Sequence, residues 1–139
     1  MGAWAEGPFE NDSALDWLWE VERPVITVIA NTLAKVKANK RGAWYMEGIA
    51  AAALLVEQSR SRPRINLAYE AAQRGLFDSA LNALKVIAAD REWIAEWEHP
   101  AKNLRVLERL RCSIVALKSA STRRAKRVAL RIVKRKSAA

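Results

Sequence analysis

Apolar residues recur every three or four positions along most of this chain, which is the spacing of one face of an α-helix. The series Ile26, Ile29, Leu33 and Val36 is one example. Residues 25–28 read locally as a strand because β-branched side chains cluster there, but the longer helical series includes them. The pattern therefore predicts an all-α fold, a compact helical bundle of five to seven helices in a single domain.

Proline and glycine positions predict where the first helices begin and end. Pro24 is expected to end a first helix near Glu22 and to occupy the first turn of a second one, because proline cannot donate a hydrogen bond in a helix interior. Gly42 follows that second helix in a polar stretch typical of a helix C-terminus. The next helix, predicted over residues 44–59, is rich in small side chains and is expected to be the most buried element.

The second half of the chain continues the helical pattern. Asp78 is expected to cap a helix that ends or bends near Asp90, because Arg91 falls where its apolar stripe needs an apolar residue. A last core helix runs through residues 104–117, and the serines and threonine of residues 119–122 are expected to interrupt it. A basic amphipathic helical extension follows. We therefore predict a helical domain over residues 1–111 and a basic tail over residues 112–139.

Charge is distributed very unevenly along the chain. The net charge is +9, and residues 113–139 contain nine basic and no acidic side chains, whereas residues 1–112 contain 15 of each sign. The first 22 residues carry six acidic side chains and no basic one. The chain thus has an acidic beginning and a basic tail. The basic residues of the tail are Lys118, Arg123, Arg124, Lys126, Arg127, Arg131, Lys134, Arg135 and Lys136.

Trp4 and Phe9 are expected to anchor the start of the chain on the body of the bundle. The first seventeen residues, MGAWAEGPFENDSALDW, combine three large aromatic residues with two glycines and a helix start. They resemble the DUF4259 family of bacterial proteins, a domain of unknown function, whose members begin Met-Gly-x-Trp-Gly-x-Gly-x-Phe-x-Asn-Asp before an Ala-Leu-Asp-Trp-like helix. Ala5 stands where the family has a glycine. The matching residues are Gly2, Trp4, Gly7, Phe9, Asn11, Asp12, Ala14 and Leu15.

Two later stretches are also similar to that family: the alanine-rich residues 47–56, and residues 90–97 followed by the leucine–arginine helix of residues 104–111. The resemblance covers about residues 1–111. The family has no established activity, and members have been suspected to be immunity proteins in bacterial toxin systems. The resemblance therefore implies a fold and suggests a protein partner.

The sequence contains no pattern typical of a catalytic site. Its single histidine, His99, precedes a proline, and its single cysteine, Cys112, lies among apolar residues where a buried thiol is common, so we assign both to structure. Asp12 and Asp16 lie one helical turn apart and could hold a divalent ion, but helix capping explains them as well. We predict no enzymatic activity, no cofactor and no metal site.

The tryptophans are the strongest candidates for a protein contact. Trp17 and Trp19 are two positions apart and cannot share a helix face, so at least one is expected to be partly exposed. With Asp12 and Asp16 they form our candidate partner contact. A stacking surface that also includes Trp93 and Trp97 is an alternative, although tryptophans in a small bundle more often fill the core.

The basic tail has several possible ligands. Its cations could neutralise the phosphates of a nucleic acid, although the tail contains no aromatic residue for base stacking. A basic amphipathic helix can also lie on an anionic membrane, which we consider unlikely because the tail lacks Trp and Phe. The remaining alternatives are a disordered extension or docking on an acidic surface, including the acidic beginning of the same or a second molecule.

Taken together, these features predict a non-enzymatic bacterial interaction protein that acts by surface complementarity through its acidic beginning, with a protein partner or self-association. An immunity-like role is what the family resemblance suggests. The alternative is a nucleic-acid-associated protein that binds phosphates through the tail. One cysteine excludes an internal disulfide, and the longest apolar run is the eight residues 49–56, so a cytoplasmic location is expected.

Overall fold

The computed structural model describes residues 12–38, 42–61, 71–72 and 74–138. Its side chains are described for residues 24–38, 42–60, 71–72, 74–124, 126–127 and 129–136. The described residues contain no strand and form five helices, which confirms the prediction of an all-α bundle. The helices are α1 (Asp12–Ala38), α2 (Tyr45–Ser61), α3 (Leu76–Ala89), α4 (Arg91–Ala95) and α5 (Pro100–Ala138).

Helices α2 and α3 lie at the centre of the bundle. Each contacts the other as well as α1 and α5, and the short α4 packs on α3 and α5. The predicted apolar series of α1, α2 and α3 provide most of the buried side chains, as their spacing indicated. The largest side chains with almost no exposed surface are Phe77, Ile26, Ile29, Leu55, Ile87 and Ile114.

Helix α1 passes through Pro24 without ending, so the predicted break near Glu22 is wrong. An interior proline costs about 3 kcal/mol, mainly through a lost hydrogen bond and a clash with the preceding turn. Pro24 itself is exposed. The buried series from Ile26 to Val36 follows directly, and burying each large side chain contributes about 1.5–3 kcal/mol.

Helix α5 is likewise continuous, and the predicted interruption at residues 119–122 is wrong. The hydroxyl of Thr122 donates a hydrogen bond of 3.0 Å to the carbonyl oxygen of Lys118, one turn earlier. A hydroxyl that bonds within the helix no longer competes with the helical backbone bonds. The basic tail is therefore the second half of the same helix that supplies Leu107 and Ile114 to the core.

The junctions of α3 differ in part from the prediction. Gly75, with a φ of 66°, occupies the N-cap position without a side-chain cap, so the cap predicted for Asp78 is wrong; Asp78 lies in the first turn instead. At the other end α3 stops before Arg91, as expected. The carboxylate of Asp90 accepts a hydrogen bond of 3.2 Å from the backbone N–H of Trp93 and so caps α4.

Candidate functional site

The second half of α5 extends beyond the body of the bundle. A helix of 39 residues is about 58 Å long, whereas the 14 residues of α3 span about 21 Å. Ile114 is the last fully buried residue of α5, and every described side chain after Ser121 is exposed. We call residues 119–138 the C-terminal arm.

Two polar contacts mark where α5 leaves the body. The guanidinium of Arg60, near the end of α2, donates a hydrogen bond of 3.1 Å to the hydroxyl of Ser113. The ammonium of Lys118 lies 2.5 Å from a carboxylate oxygen of Asp78, near the start of α3. Lys118 is thus paired with the body, which separates it from the other eight basic residues of the predicted anion-binding set.

Those eight residues all lie on the C-terminal arm, and all are exposed. Arg123, Arg127 and Arg131 follow one another at intervals of four residues, so successive guanidinium groups lie on one helix face about 6 Å apart along the axis. Arg124 lines the same shallow surface depression as these three. Like charges one turn apart destabilise a helix, and a negatively charged ligand would remove that repulsion.

The C-terminal arm also exposes apolar side chains. Ile132 follows Ile114 by 18 residues, which is five full helical turns, so both lie on the same face of α5. Ile114 is completely buried, whereas Ile132 is 48% exposed. Leu130 and Val133 are more than half exposed. The core-facing side of α5 therefore continues along the arm without the body to cover it.

A second exposed apolar feature lies at the opposite end of the bundle. Trp97 is 46% exposed, and its ring lies 5.7 Å from that of Trp93, centroid to centroid. The exposed side chains of Met46 and Val106 line the same surface. Together with the two tryptophans they form an apolar groove between α2, α4 and α5. The alternative stacking surface predicted from the sequence consists of Trp17, Trp19, Trp93 and Trp97. Among the described side chains, only Trp93 and Trp97 of this set lie together.

The base of the groove is held by a buried hydrogen bond. The hydroxyl of Tyr45 lies 3.2 Å from a carboxylate oxygen of Asp90, and the ring of Tyr45 packs edge-on against Trp93 at 5.1 Å. Asp90 thereby joins the start of α2 to the start of α4. The helix break at Asp90 is predictable from the sequence, but the bond to Tyr45 is not, because the pattern contains no signal for it beyond that break.

The predicted partner contact at the beginning of the chain is only partly within the described residues. Asp12, Asp16, Trp17 and Trp19 lie in α1, but their side chains are outside the described ones. The anchoring roles predicted for Trp4 and Phe9 also fall outside the described residues. Among the described residues, α1 contacts α2 and α3 but not α5.

Cys112 is exposed, so the buried thiol predicted at this position is wrong. Position 112 lies two residues from both Leu110 and Ile114 and therefore faces away from the core stripe. Its sulfur lies 3.7 Å from the carboxylate of Glu108, which also binds Arg111 through two bonds of 2.6 and 2.9 Å. The hydrogen bonds from Arg111 hold the pKa of Glu108 below its usual value.

His99 directly precedes α5 and is exposed. Its φ of 56° is left-handed, and its carbonyl oxygen accepts the backbone N–H of Asn103, the first bond of the helix. Within residues whose side chains are described, no three His, Cys, Asp or Glu residues are grouped as a metal site requires. No described helix is long and apolar enough to cross a membrane.

Comparison with known proteins adds a fold family. A family described as a domain of unknown function, DUF4259, matches residues 2–109 of the chain. No curated protein and no solved structure matches the chain. The match ends at residue 109, within α5, so the last body residues of that helix, including the buried Ile114, and the whole C-terminal arm lie outside it.

Proposed function

Because the chain belongs to the DUF4259 family, whose function is unknown, we propose from the structure that it is a non-enzymatic bacterial interaction protein that binds a negatively charged protein surface through its C-terminal arm. Blocking a protein partner in this way would be an immunity-like action. The proposal places the protein in the cytoplasm, which fractionation of the native cells would test.

The exposure of the C-terminal arm is the observation that supports this proposal. Residues 122–136 contain eight basic side chains and no acidic one, and all of their described side chains are exposed. An isolated helix of this length is marginal in water, and repeated like charges weaken it further. An acidic partner would neutralise these charges, and apolar groups on it would cover Ile132.

The acidic beginning of α1 is a second proposed contact. Asp12, Asp16, Trp17 and Trp19 were chosen from the sequence for their charge and their aromatic surface. Partly exposed tryptophans are frequent energetic centres of protein interfaces. The role of these residues in binding a partner stays a prediction. Once a partner is identified, a lower affinity of Trp17→Ala for that partner would support it.

A binding experiment with a defined acidic polymer tests the arm. Poly-L-glutamate is titrated into the wild-type protein, into Arg127→Gln/Arg131→Gln, and into the control Lys102→Gln/Arg109→Gln, which removes the same charge from the body part of α5. We expect only the arm variant to bind appreciably more weakly. Equal weakening in both variants would show that net charge alone determines binding and would contradict the proposal.

Nucleic acid is the second candidate ligand, because the described side chains of residues 122–136 are all exposed. The major groove of duplex DNA, about 12 Å wide, accepts a single α-helix, and the cations of the arm could then contact phosphates. We expect duplex DNA to bind with an affinity that falls steeply between about 50 and 200 mM salt if this candidate is correct. Binding of poly-L-glutamate but not DNA at low salt would exclude it.

A further inference from the structure

Helices α1 and α5 both extend past the same end of the bundle. Gly48, near the start of α2, packs against Val36, near the end of α1, so these two helices are antiparallel. The end of α2 lies beside Ser113 of α5, where the arm is about to begin. Residue 12 lies about 36 Å along the helix axis from Val36, whereas residues 48–61 of α2 span only about 20 Å. The first turns of α1 therefore lie beyond the end of α2, on the same side as the arm.

The two projecting segments carry opposite charges at the same spacing. Asp12, Asp16 and Glu20 recur every four residues in α1. The C-terminal arm has four arginines that are likewise spaced four residues apart. Both series therefore advance about 6 Å per charge along a helix axis. The arginines are Arg123, Arg127, Arg131 and Arg135.

The two helices that carry these series do not pack against each other where the structure describes them. The described residues of α1 and α5 make no contact with each other, although both helices leave the body at the same end. An arm cannot pair with a second arm, because every titratable side chain from residue 113 onward is basic. The charge complementarity is thus available for a contact between two molecules.

We infer that the C-terminal arm of one copy binds the acidic series of α1 in a second copy. This inference rests on the proposed function, since it names the acidic surface that the arm recognises. Each copy offers one arm and one acidic series, so a twofold axis would repeat the contact and close a dimer. Individual exposed ion pairs contribute little, and the repeated series supplies a network in which several pairs form together. Ile132 would be covered in the same contact.

Charge reversal in separate copies tests this pairing. One variant, Asp16→Lys/Glu20→Lys, reverses the acidic series, and another, Arg127→Glu/Arg131→Glu, reverses the arm. Lys102→Glu/Arg109→Glu is the control, because it makes the same charge change on the body part of α5. Sedimentation velocity measures the state of each protein alone and of an equimolar mixture of the first two, and circular dichroism checks that all remain helical.

We expect the wild type and the control to be dimers at low salt and to dissociate as salt screens the charges. Each reversal variant alone should be monomeric, because it pairs like charges. Their mixture should recover the dimer, since the reversed arm then meets the reversed acidic series and the two unaltered segments meet each other. Recovery on mixing is a result that general misfolding of either variant does not give.

A wild type that stays monomeric at low salt, or a mixture of the two variants that stays monomeric, overturns the inference. The experiment with poly-L-glutamate separates this failure from a failure of the proposed function. A monomeric wild type that binds poly-L-glutamate through the arm keeps the proposed function and excludes the second copy as the partner. Dimers that persist unchanged in the arm variant also overturn the inference, because they must use another surface.

Discussion

Ile114 and Ile132 lie on the same face of α5, five turns apart, yet only Ile114 is covered by the body of the bundle. Replacing Ile114 with alanine should lower the free energy of unfolding by about 2–5 kcal/mol, because it opens a cavity in the core. Ile132→Ala should change it by less than about 0.5 kcal/mol. Urea denaturation followed by circular dichroism measures both. Equal losses would show that the arm packs on the body in solution.

Gly48 allows α1 and α2 to approach closely, because a Cβ at this position would collide with Cγ2 of Val36. Overpacking of this kind costs about 1–3 kcal/mol, whereas alanine gains up to about 1 kcal/mol in helix propensity over glycine. We therefore expect Gly48→Ala to destabilise the wild type.

The same substitution in a Val36→Ala background provides the control. Removing Cγ2 removes the collision, so there Gly48→Ala should stabilise the protein by up to about 1 kcal/mol. Thermal or urea denaturation of the four proteins gives the comparison. A change of the same sign in both backgrounds would contradict the close approach of the two helices.

Asp90 joins the start of α2 to the start of α4 through the hydroxyl of Tyr45 and the backbone of Trp93. Asp90→Ala should cost about 2–3 kcal/mol, because it removes a helix cap and a buried hydrogen-bond acceptor. Tyr45→Phe should cost about 1 kcal/mol. In the double variant the two losses should not add, since both remove the same bond. Additive losses in urea denaturation would indicate that the bond contributes nothing.

Glu108 should titrate at a lower pH in the wild type than in Arg111→Gln, because the hydrogen bonds from Arg111 favour its carboxylate form. The contribution of this bond to stability is present above the pKa of the unfolded chain and is lost as the pH falls through the lowered pKa. NMR titration of the side-chain carboxyl carbon measures the difference. Arg109→Gln is the control and should leave the titration of Glu108 unchanged.

The bundle could be predicted from the sequence because its helices carry long apolar series. The series of α1 correctly indicated Ile26, Ile29, Leu33 and Val36 as core. The predicted helix ends were wrong where the helix-breaking preference of a single residue was given more weight than the apolar series that continues past it. Pro24 and the hydroxyl residues after Lys118 are accommodated within α1 and α5, because the helices continue on both sides of them.

The candidate surfaces were only partly predictable. The charge of the C-terminal arm is evident from composition, but its separation from the body depends on where α2 ends and α3 begins against α5. The apolar groove beside Trp97 was missed because Met46 and Val106 come from different helices and lie outside the core series. Cys112 was placed wrongly because apolar neighbours in sequence were taken as neighbours in space.

Amide hydrogen exchange of the full-length protein with and without poly-L-glutamate tests the central claim most directly, because it locates the binding surface along the chain. At concentrations where the protein is monomeric, exchange in residues 119–136 should be fast without the polymer, since the described side chains from residue 122 onward are exposed, and it should slow on addition of the polymer. The body around Ile114 should remain equally protected in both states. Slowing confined to other segments, with the arm unchanged, would contradict the assignment of the C-terminal arm as the binding surface.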